Sequence, residues 1–418
     1  MRSSYKRIGD YIQLVDECNR DLSITTLLGL SIDKVFIPSV ANTIGSDMAN
    51  YKIIRKGQFA CSLMQVRRDK KIPVAMLKDH DEAIISQAYP VFEVRNKEDI
   101  LPEYSMMWMS RSEFDREACF YAVGGVRGSL EWEDFCDMEL PVPSIEKQKE
   151  IVAEYNTIVD RIKLNEQLNQ KLEETAQAIY KQWFVDFEFP ISKEYATKIG
   201  KPELEGKPYK SSGGEMVWND ELDQEIPEGW ESSNMTGIAK TITCGKTPST
   251  LDKSNFGNDI PFVTIPDLHN NVFIHKTLRR LSNKGAKSQK NKMLPENAIC
   301  VSCIASPGLV AITTTQSQTN QQINTVVCND TVSVYFAYFA LVDLGVKIKE
   351  WGIKGSVGSN INKTEFSEMV LLKPAEDIST KFQQLVSRVF AEIKLLQQQL
   401  YLLFDLHNIL LSKITKAD

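Results

Sequence analysis

An internal repeat constrains the fold of this chain more than any other feature of its sequence. Two segments that lie 231 residues apart carry identical residues in register. In the globular part, the identical pairs are Val126 and Val357, Phe135 and Phe366, and Pro143 and Pro374. In the part with a helical pattern, they are Ile162 and Ile393, Lys163 and Lys394, Leu164 and Leu395, Gln167 and Gln398, and Leu172 and Leu403. A register held over this length without a gap predicts two copies of one structural unit.

Each copy contains a long amphipathic helix. Apolar residues recur at steps of three and four along one stripe, which is typical of a seam between paired helices. The first stripe consists of Ile151, Tyr155, Ile158, Ile162, Asn165, Asn169, Leu172, Ala176, Ile179 and Trp183. The second consists of Phe382, Val386, Val389, Ile393, Leu396, Leu400, Leu403, His407, Leu410 and Ile414. Without the repeat, two ordinary core helices would explain these stripes.

The repeat predicts a pseudo-twofold dumbbell. Each long helix follows a globular segment of similar size, so we expect the two helices to pair antiparallel, with one mixed α/β (α+β) domain at each end. The first stripe would rise about 48 Å at 1.5 Å per residue, which exceeds one turn of B-DNA at roughly 34 Å. Two end domains could therefore reach two separated half-sites. Asn165 and Asn169 would weaken the seam but fix its register.

Charge is segregated along the chain. The net charge of −6 argues against nucleic-acid binding if taken alone. Residues 276 to 292 nevertheless carry seven basic side chains and no acid, whereas residues 201 to 231 carry nine acids against three bases. An isolated basic run is often only a solvated loop. With 42% hydrophobic residues, no apolar stretch long enough to span a bilayer and no secretory signal, we expect a cytoplasmic protein whose eight cysteines are free thiols.

Several motifs resemble one known family. The runs PVPSIEKQKEIV and IKLNEQLNQKLEETAQAIYKQWFVDFEFP are similar to the central spacer of type I restriction-modification specificity subunits. The runs IPEGWE, CGKTPST, GNDIPFVTIPDL and TNQQI are similar to the signatures of that family's target recognition domains. Gln322 departs from the glycine often found after TNQ, and the first domain lacks a counterpart of CGKTPST.

The resemblance implies a domain order that agrees with the repeat. It comprises a first target recognition domain over 1 to 144, a first spacer helix over 145 to 190, an acidic connector over 191 to 230, a second target recognition domain over 231 to 375 and a second spacer helix over 376 to 418. The sequence leaves open whether the connector is ordered.

The resemblance also implies the role and the partners. This chain would bind an asymmetric, bipartite target in double-stranded DNA and dock two methyltransferase subunits, which use S-adenosylmethionine to methylate an adenine in each half. Restriction subunits that use ATP and Mg would join the same complex, and this chain would bind no cofactor itself. The alternative is the targeting subunit of a related type IIB-like system. A purely structural coiled-coil protein would leave the recognition-like domains unexplained.

The sequence predicts no catalytic site and no metal site. The run CGKT suggests a phosphate-binding loop, but Lys240 stands where that motif requires glycine. No motif for base methylation is present, so a stand-alone methyltransferase or nuclease is not favoured. Cys300 and Cys303 form a single CxxC in an apolar run, where buried thiols are the expected state.

Candidate DNA contacts divide into basic side chains that hold phosphates and polar side chains that read base edges. In the second domain we expect phosphate contacts from Arg279, Arg280, Lys284, Lys287 and Lys290, with Lys246 and Thr247 as further candidates, and base contacts from Gln318, Asn320 and Gln321. In the first domain the candidates are Arg67, Arg68, Lys70 and Lys71, followed by Ser86, Gln87 and Tyr89.

Overall fold

The computed structural model describes residues 5 to 39, 47 to 122, 128 to 304, 306 to 354 and 361 to 413. The chain forms two compact units. Unit 1 comprises Met1–Ile162 and Leu403–Asp418, and unit 2 comprises Lys163–Leu402. In the described part, no helix is both long enough and apolar enough to cross a membrane.

Unit 1 is a mixed unit of short strands and helices. Its strands are β1 (Tyr5–Arg7), β2 (Ile12–Val15), β3 (Leu28–Leu30), β4 (Phe36–Pro38), β5 (Lys52–Arg55), β6 (Phe59–Cys61), β7 (Val74–Met76), β8 (Glu82–Ile85), β9 (Val91–Val94) and β10 (Glu139–Pro141). Its helices are α1 (Val66–Asp69), α2 (Pro102–Met109), α3 (Ser112–Tyr121), α4 (Trp132–Asp137) and the first part of α5 (Ile145–Phe184).

The main sheet of unit 1 is four-stranded and antiparallel, in the order β2-β9-β6-β7. Side chains alternate between its faces. Phe59 and Phe92 lie on one face, stacked with centroids 5.1 Å apart, in a core shared with Tyr104 and Phe135. Ala60 belongs to a second buried cluster on the other side. Both faces are buried along β6 and β7, which explains why these two strands are continuously apolar.

Unit 2 contains the remaining elements. Its helices are the rest of α5, α6 (Lys193–Lys198), α7 (Met235–Ile238), α8 (Asn283–Lys287), α9 (Val334–Lys354), α10 (Lys363–Glu368) and most of α11 (Glu376–Lys413), whose end lies in unit 1. Its strands are β11 (Met216–Asn219), β12 (Gln224–Pro227), β13 (Glu231–Asn234), β14 (Ala239–Cys244), β15 (Phe256–Val263), β16 (Phe273–Ile274), β17 (Arg279–Leu281), β18 (Ile299–Ser302), β19 (Val310–Thr313), β20 (Gln318–Thr319), β21 (Ile323–Cys328) and β22 (Val370–Lys373).

Two sheets form the central part of unit 2. One is five-stranded, in the order β14-β21-β18-β19-β16, and the other is three-stranded, in the order β17-β15-β20. Cys300 and Cys303 face different apolar clusters, so the CxxC does not bring their thiols to one point. Burial raises the pKa of both thiols, to about 12 for Cys300 and to about 11 for Cys303.

The structure confirms the internal repeat in the last third of each copy. Helices α4 and α10 cover equivalent residues 231 positions apart, and α5 and α11 begin at equivalent positions, Ile145 and Glu376. Strand β10 pairs antiparallel with β1, and its equivalent β22 pairs antiparallel with β13. Phe135 and Phe366, on α4 and α10, are both fully buried. The fold class is therefore confirmed as two mixed helix-strand domains and two long helices related by a repeat.

The long helices bury the predicted stripes. Every described member of both stripes is buried or half-buried, whereas Ile414 lies outside the described residues. Within unit 2 the helices run antiparallel, because Asn165 on α5 contacts Gln399 on α11 and Trp183 contacts Phe382. Helix α5 ends at Phe184, before the predicted boundary at 190. Phe187, with φ 60°, lies in the left-handed region, where a helix cannot continue.

The acidic segment 191 to 230 is ordered. It contributes α6 and the antiparallel β11-β12 hairpin. Ile191, Tyr209 and Trp230 are buried in the core of unit 2, and Phe189 stacks on the rings of Tyr209 and Trp230. This packing makes the segment part of unit 2.

Candidate DNA interface

In unit 1, both groups of candidate residues leave the main sheet at the same end. Strand β6 ends at Cys61, which pairs with Val74 at the start of β7, and its neighbour Ala60 pairs with Val91 at the start of β9. The loop from 62 to 73, which contains α1, and the turn from 86 to 90 therefore emerge side by side. This end of the sheet is named surface 1.

The cations of surface 1 differ in their availability. Arg67 and Lys70 are exposed and form no ion pair with any residue that the structure describes. Arg68 is paired with Asp69 at 2.7 Å, and Lys71 lies 3.7 Å from Asp33. Arg67 and Lys70 are thus the cations that can meet a phosphate without first breaking an ion pair.

The turn of surface 1 presents one exposed amide. Gln87 is exposed, whereas Ser86 accepts a hydrogen bond from the backbone of Ala88 at 3.3 Å. Tyr89 is half-buried and packs against the apolar cluster beneath the sheet. Of the three predicted contacts in this turn, Gln87 is therefore the side chain best placed to reach a ligand.

In unit 2, a loop from 245 to 255 lies against the segment from 319 to 322. The Gly245 N–H donates to the Ile323 carbonyl at 3.1 Å, and the Lys246 N–H donates to the Thr319 carbonyl at 3.0 Å. A Cβ at Gly245 would lie 2.2 Å from the carbonyl oxygen of Asn320. Only glycine permits this approach, which explains the glycine of the CGKTPST run.

This contact orients one candidate base reader. The Thr247 hydroxyl donates to Gln321 Oε1 at 2.7 Å, and Gln321 is exposed. Its amide nitrogen has no hydrogen-bond partner within the described part of the chain. An oriented and exposed amide is the group that can pair with a base edge in the major groove.

The other two predicted base readers are corrected by the structure. Gln318 is fully buried, and its amide nitrogen donates to the carbonyls of Ala286 and Gln289 at 2.9 and 3.1 Å. Asn320 is 9% exposed, and its amide bonds to both the side chain and the backbone of Gln322. The amide nitrogens of both residues therefore donate within the chain and hold the loop in place. They have no free access to a base.

Helix α8 joins this loop to a set of basic residues. The Lys284 ammonium lies 2.8 Å from Asp252, and this contact, together with Ser254, lowers the pKa of Asp252 to about 2. The Ser282 N–H donates to the Asn255 carbonyl at 3.0 Å. Asp252 is not among the residues predicted from the sequence, although Asp-x-Ser is a local capping signal that precedes a 3-10 turn. The loop from 245 to 255, residues 319 to 322 and the basic stretch 279 to 290 form surface 2.

The cations of surface 2 also fall into two groups. Lys246, Lys287 and Lys290 are exposed, without an ion pair to any described residue. Arg279 lies over the ring of Phe256 at 4.6 Å from its centroid, and Arg280 donates to the carbonyls of Asn258 and Asp259 at 2.9 and 3.0 Å. The predicted role of Arg280 in phosphate binding is therefore weakened, because its guanidinium is already engaged with the backbone.

Residues that could hold a metal do not cluster in the described ranges, where no group of three or more His, Cys, Asp or Glu side chains has metal-ligating geometry. The features that each unit does present are exposed cations beside an exposed amide at one end of a sheet. A repeat of mixed domains with such surfaces is the arrangement expected of one class of protein, the modular DNA-sequence readers.

Comparison with known proteins identifies the family within that class. The family model of the type I restriction modification DNA specificity domain matches residues 67 to 174 and 227 to 401. The chain therefore belongs to the type I restriction-modification specificity family.

Individual relatives agree. The chain is 32% identical over 378 residues to the type I restriction enzyme HindI specificity subunit of Haemophilus influenzae, with 81% of each chain covered. It is 27% identical over 285 residues to the MjaIX specificity subunit of Methanocaldococcus jannaschii, which covers 66% of this chain and 60% of that one. Its fold is similar to that of the type I S subunit from M. genitalium, with a TM-score of 0.59 and 12% identity over 98% of this chain and 95% of that one.

Proposed function

We propose that this chain is the non-catalytic DNA-recognition subunit of a type I restriction-modification complex. It binds an asymmetric, bipartite target in double-stranded DNA, with surface 1 reading one half and surface 2 the other. The observation that carries this proposal is the recurrence, in both units, of exposed cations that have no ion pair to a described residue and lie beside an exposed glutamine at one end of a sheet. The family assignment supports the same role.

The local electrostatics support DNA binding despite the net charge of −6. The acids of the segment 201 to 231 lie in and around the β11-β12 hairpin. The basic stretch of surface 2 is a separate part of the sequence and contains no acid. Lys246, Lys287 and Lys290 can release counterions from phosphates without losing an ion pair of their own. Gln321, held by Thr247, adds a group that distinguishes bases.

The exposed face of the long helices supports docking of two methyltransferase subunits. Leu164 on α5 and Leu395 on α11 occupy equivalent positions of the repeat, and they are 53% and 47% exposed. Leu168 and Leu402 add further exposed apolar area on the two helices. Apolar residues left exposed at repeat-equivalent positions fit two copies of one partner.

The partners would supply the chemistry. The methyltransferase subunits would use S-adenosylmethionine to methylate one adenine in each half of the target, and the restriction subunits would use ATP and Mg. This chain would bind no cofactor and would act in the cytoplasm, where it meets the DNA.

The direct test is co-expression with the methyltransferase encoded at the same locus, followed by single-molecule sequencing of methylated adenines. We expect one bipartite methylated motif that disappears when this chain is omitted. Methylation that is identical with and without the chain would refute the proposal. The Gly245→Val chain serves as an internal control. A side chain at residue 245 would displace the loop that carries Gln321, so we expect base selectivity to be lost in one half of the motif and kept in the other.

A further inference from the structure

The two most exposed large apolar side chains of the described part are Leu251, at 95%, and Phe120, at 82%. One lies in each unit. Single exposed apolar residues are common on protein surfaces, so exposure alone assigns no role. Their positions relative to surfaces 1 and 2 do.

Leu251 lies in the middle of surface 2. On one side, the loop that carries it is fixed to Gln321 through Thr247. On the other, the adjacent Asp252 holds the ammonium of Lys284 at 2.8 Å on α8. The side chain therefore projects from a loop anchored at both ends, between the exposed amide and the basic helix.

Phe120 lies on α3, a helix that contacts the loop of surface 1. It lies in the last turn of α3, beside Cys119, whose thiol contacts the backbone carbonyl of Val66 at 3.4 Å. Val66 begins α1, the helix that carries the exposed Arg67. Phe120 therefore lies at the end of a helix that contacts α1, where its ring packs edge to face against the ring of Tyr121, with 5.5 Å between the centroids.

The chemistry of DNA limits what such a side chain can meet. Deoxyribose carbons offer an apolar contact at every nucleotide and carry no sequence information, whereas the 5-methyl group of thymine is an apolar feature of the major groove that distinguishes one base from the others. A rigidly placed aliphatic or aromatic tip can bury that methyl group when neighbouring cations hold the backbone. The contact favours thymine over cytosine and over uracil.

We propose that Leu251 and Phe120 are specificity-determining residues, each of which contacts a thymine methyl group in its own half of the target. This inference rests on the proposed function, since it requires that the chain binds DNA. It assigns to each surface an apolar reader in addition to the amides Gln321 and Gln87.

The test uses the full chain in complex with its methyltransferase and duplexes of the methylated motif, in which each thymine in turn is replaced by deoxyuridine. Loss of one buried methyl group should weaken binding about fourfold. We expect one sensitive position in each half. In the Leu251→Ala chain, the sensitivity of one position should disappear, and in the Phe120→Ala chain that of the other, while each variant binds the all-thymine duplex more weakly.

Trp218→Ala is the matched control, because Trp218 is also an exposed apolar residue, at 60%, but lies on the β11-β12 hairpin. It should retain both sensitive positions. The inference is overturned if no deoxyuridine substitution weakens binding, or if the alanine variants keep the sensitivity of the wild-type chain. The inference is also overturned if a variant binds the thymine duplex and the deoxyuridine duplex more weakly by the same factor, because the preference for thymine would then be unchanged. A chain that directs no motif at all instead refutes the proposed function, so the two failures are distinct.

Discussion

The two copies of the repeat are alike where they hold the long helices and different where they face the proposed ligand. Helices α4 and α10, and the starts of α5 and α11, keep a register of 231 residues. The main sheet of unit 1 has four strands, whereas unit 2 has a five-stranded and a three-stranded sheet. The difference indicates that the helix-bearing frame is fixed by packing, while the sheet ends that carry surfaces 1 and 2 are free to differ.

One hydrogen bond recurs at equivalent positions of the two long helices. In unit 1 the Leu101 N–H, at the start of α2, donates to Gln148 on α5 at 2.9 Å. In unit 2 the Ser333 N–H, at the start of α9, donates to Ser379 on α11 at 2.9 Å. Gln148 and Ser379 are equivalent in the repeat, and both are buried. Each long helix therefore caps the helix that follows its sheet.

The largest expected effect tests the frame. Phe135→Ala and Phe366→Ala should each cost about 3–5 kcal/mol of the free energy of unfolding, because both rings are fully buried at equivalent positions. Denaturant unfolding measures the loss, and hydrogen exchange locates it in unit 1 or unit 2. The exposed Phe120→Ala should change stability by less than about 0.5 kcal/mol. A large cost in only one copy would break the correspondence.

A smaller effect sharpens the same comparison. Gln148→Ala removes three hydrogen bonds, to the Leu101 N–H and to the carbonyls of Asp99 and Pro143, so we expect a cost of about 3 kcal/mol. Ser379→Ala leaves one buried N–H unpaired and should cost about 1–2 kcal/mol. Thermal unfolding of both variants measures the ranking. Equal costs, or the reverse order, would show that the two caps do not have these roles.

The two surfaces can be compared through the salt dependence of DNA binding. Lys287→Ala with Lys290→Ala should weaken binding and make the plot of log K against log salt shallower by about 2, because both cations are exposed and form no ion pair within the described ranges. Arg67→Ala with Lys70→Ala should do the same for surface 1. Arg280→Ala should change the slope by less than about 1, since its guanidinium already bonds two carbonyls. If neither double variant changes the slope, Lys287, Lys290, Arg67 and Lys70 do not contact phosphates.

Among the seam positions at which the two helices differ, two place asparagine on α5 where α11 has leucine. Asn165 and Asn169 of α5 correspond to Leu396 and Leu400 of α11. Asn165 donates to Gln399 at 3.2 Å, whereas the buried Oδ1 of Asn169 has no hydrogen-bond partner among the residues that the structure describes. Asn169→Leu should therefore stabilise the chain by about 1 kcal/mol, a rise in Tm of about 2–4 °C. Asn165→Leu should gain less, because it leaves Gln399 unpaired. A clear fall in Tm for Asn169→Leu would contradict this account of the seam.

The smallest expected effect concerns another difference between the helices, Glu173 in place of Phe404. Burial raises the pKa of Glu173 from 4.5 to about 7. The folded state therefore binds this proton more tightly than the unfolded state, and the resulting stability is lost as the pH rises from about 4.5 to about 7. Glu173→Gln should reduce the fall in Tm between pH 5 and pH 8 by about 1–2 °C. Glu174→Gln, at an exposed position, is the control and should leave the fall in Tm between pH 5 and pH 8 unchanged. Equal falls in both variants would contradict the assignment.

Sequence alone predicted the frame because its signals are periodic. Steps of three and four along both stripes placed the buried face of α5 and α11, and an unbroken register related α5 to α11 before any contact was known. The sequence did not predict that the acidic segment adopts an ordered structure. That structure depends on Trp230 and Tyr209, which pack against core residues that are distant in sequence.

The surfaces were only partly predictable, because tertiary contacts decide which polar residues are available. Gln318, Asn320 and Gln321 are neighbours in sequence, yet only Gln321 is exposed. The Gln318 amide nitrogen donates to the carbonyls of Ala286 and Gln289, and the local sequence does not indicate these contacts. Strands of two to six residues, such as β20 and β14, give equally weak signals on their own.

The central claim is that each copy of the repeat reads one half of the target, and exchange of one recognition segment tests it most directly. Residues 235 to 362 would be replaced by the aligned segment of the Haemophilus influenzae relative, which keeps β13, α10, β22 and α11 intact. The methylated motif of cells that express the hybrid with the methyltransferase would then be sequenced. The account predicts that one half of the original motif is retained and only the other half changes. Change in both halves, or in neither, from a hybrid that still directs methylation would contradict it.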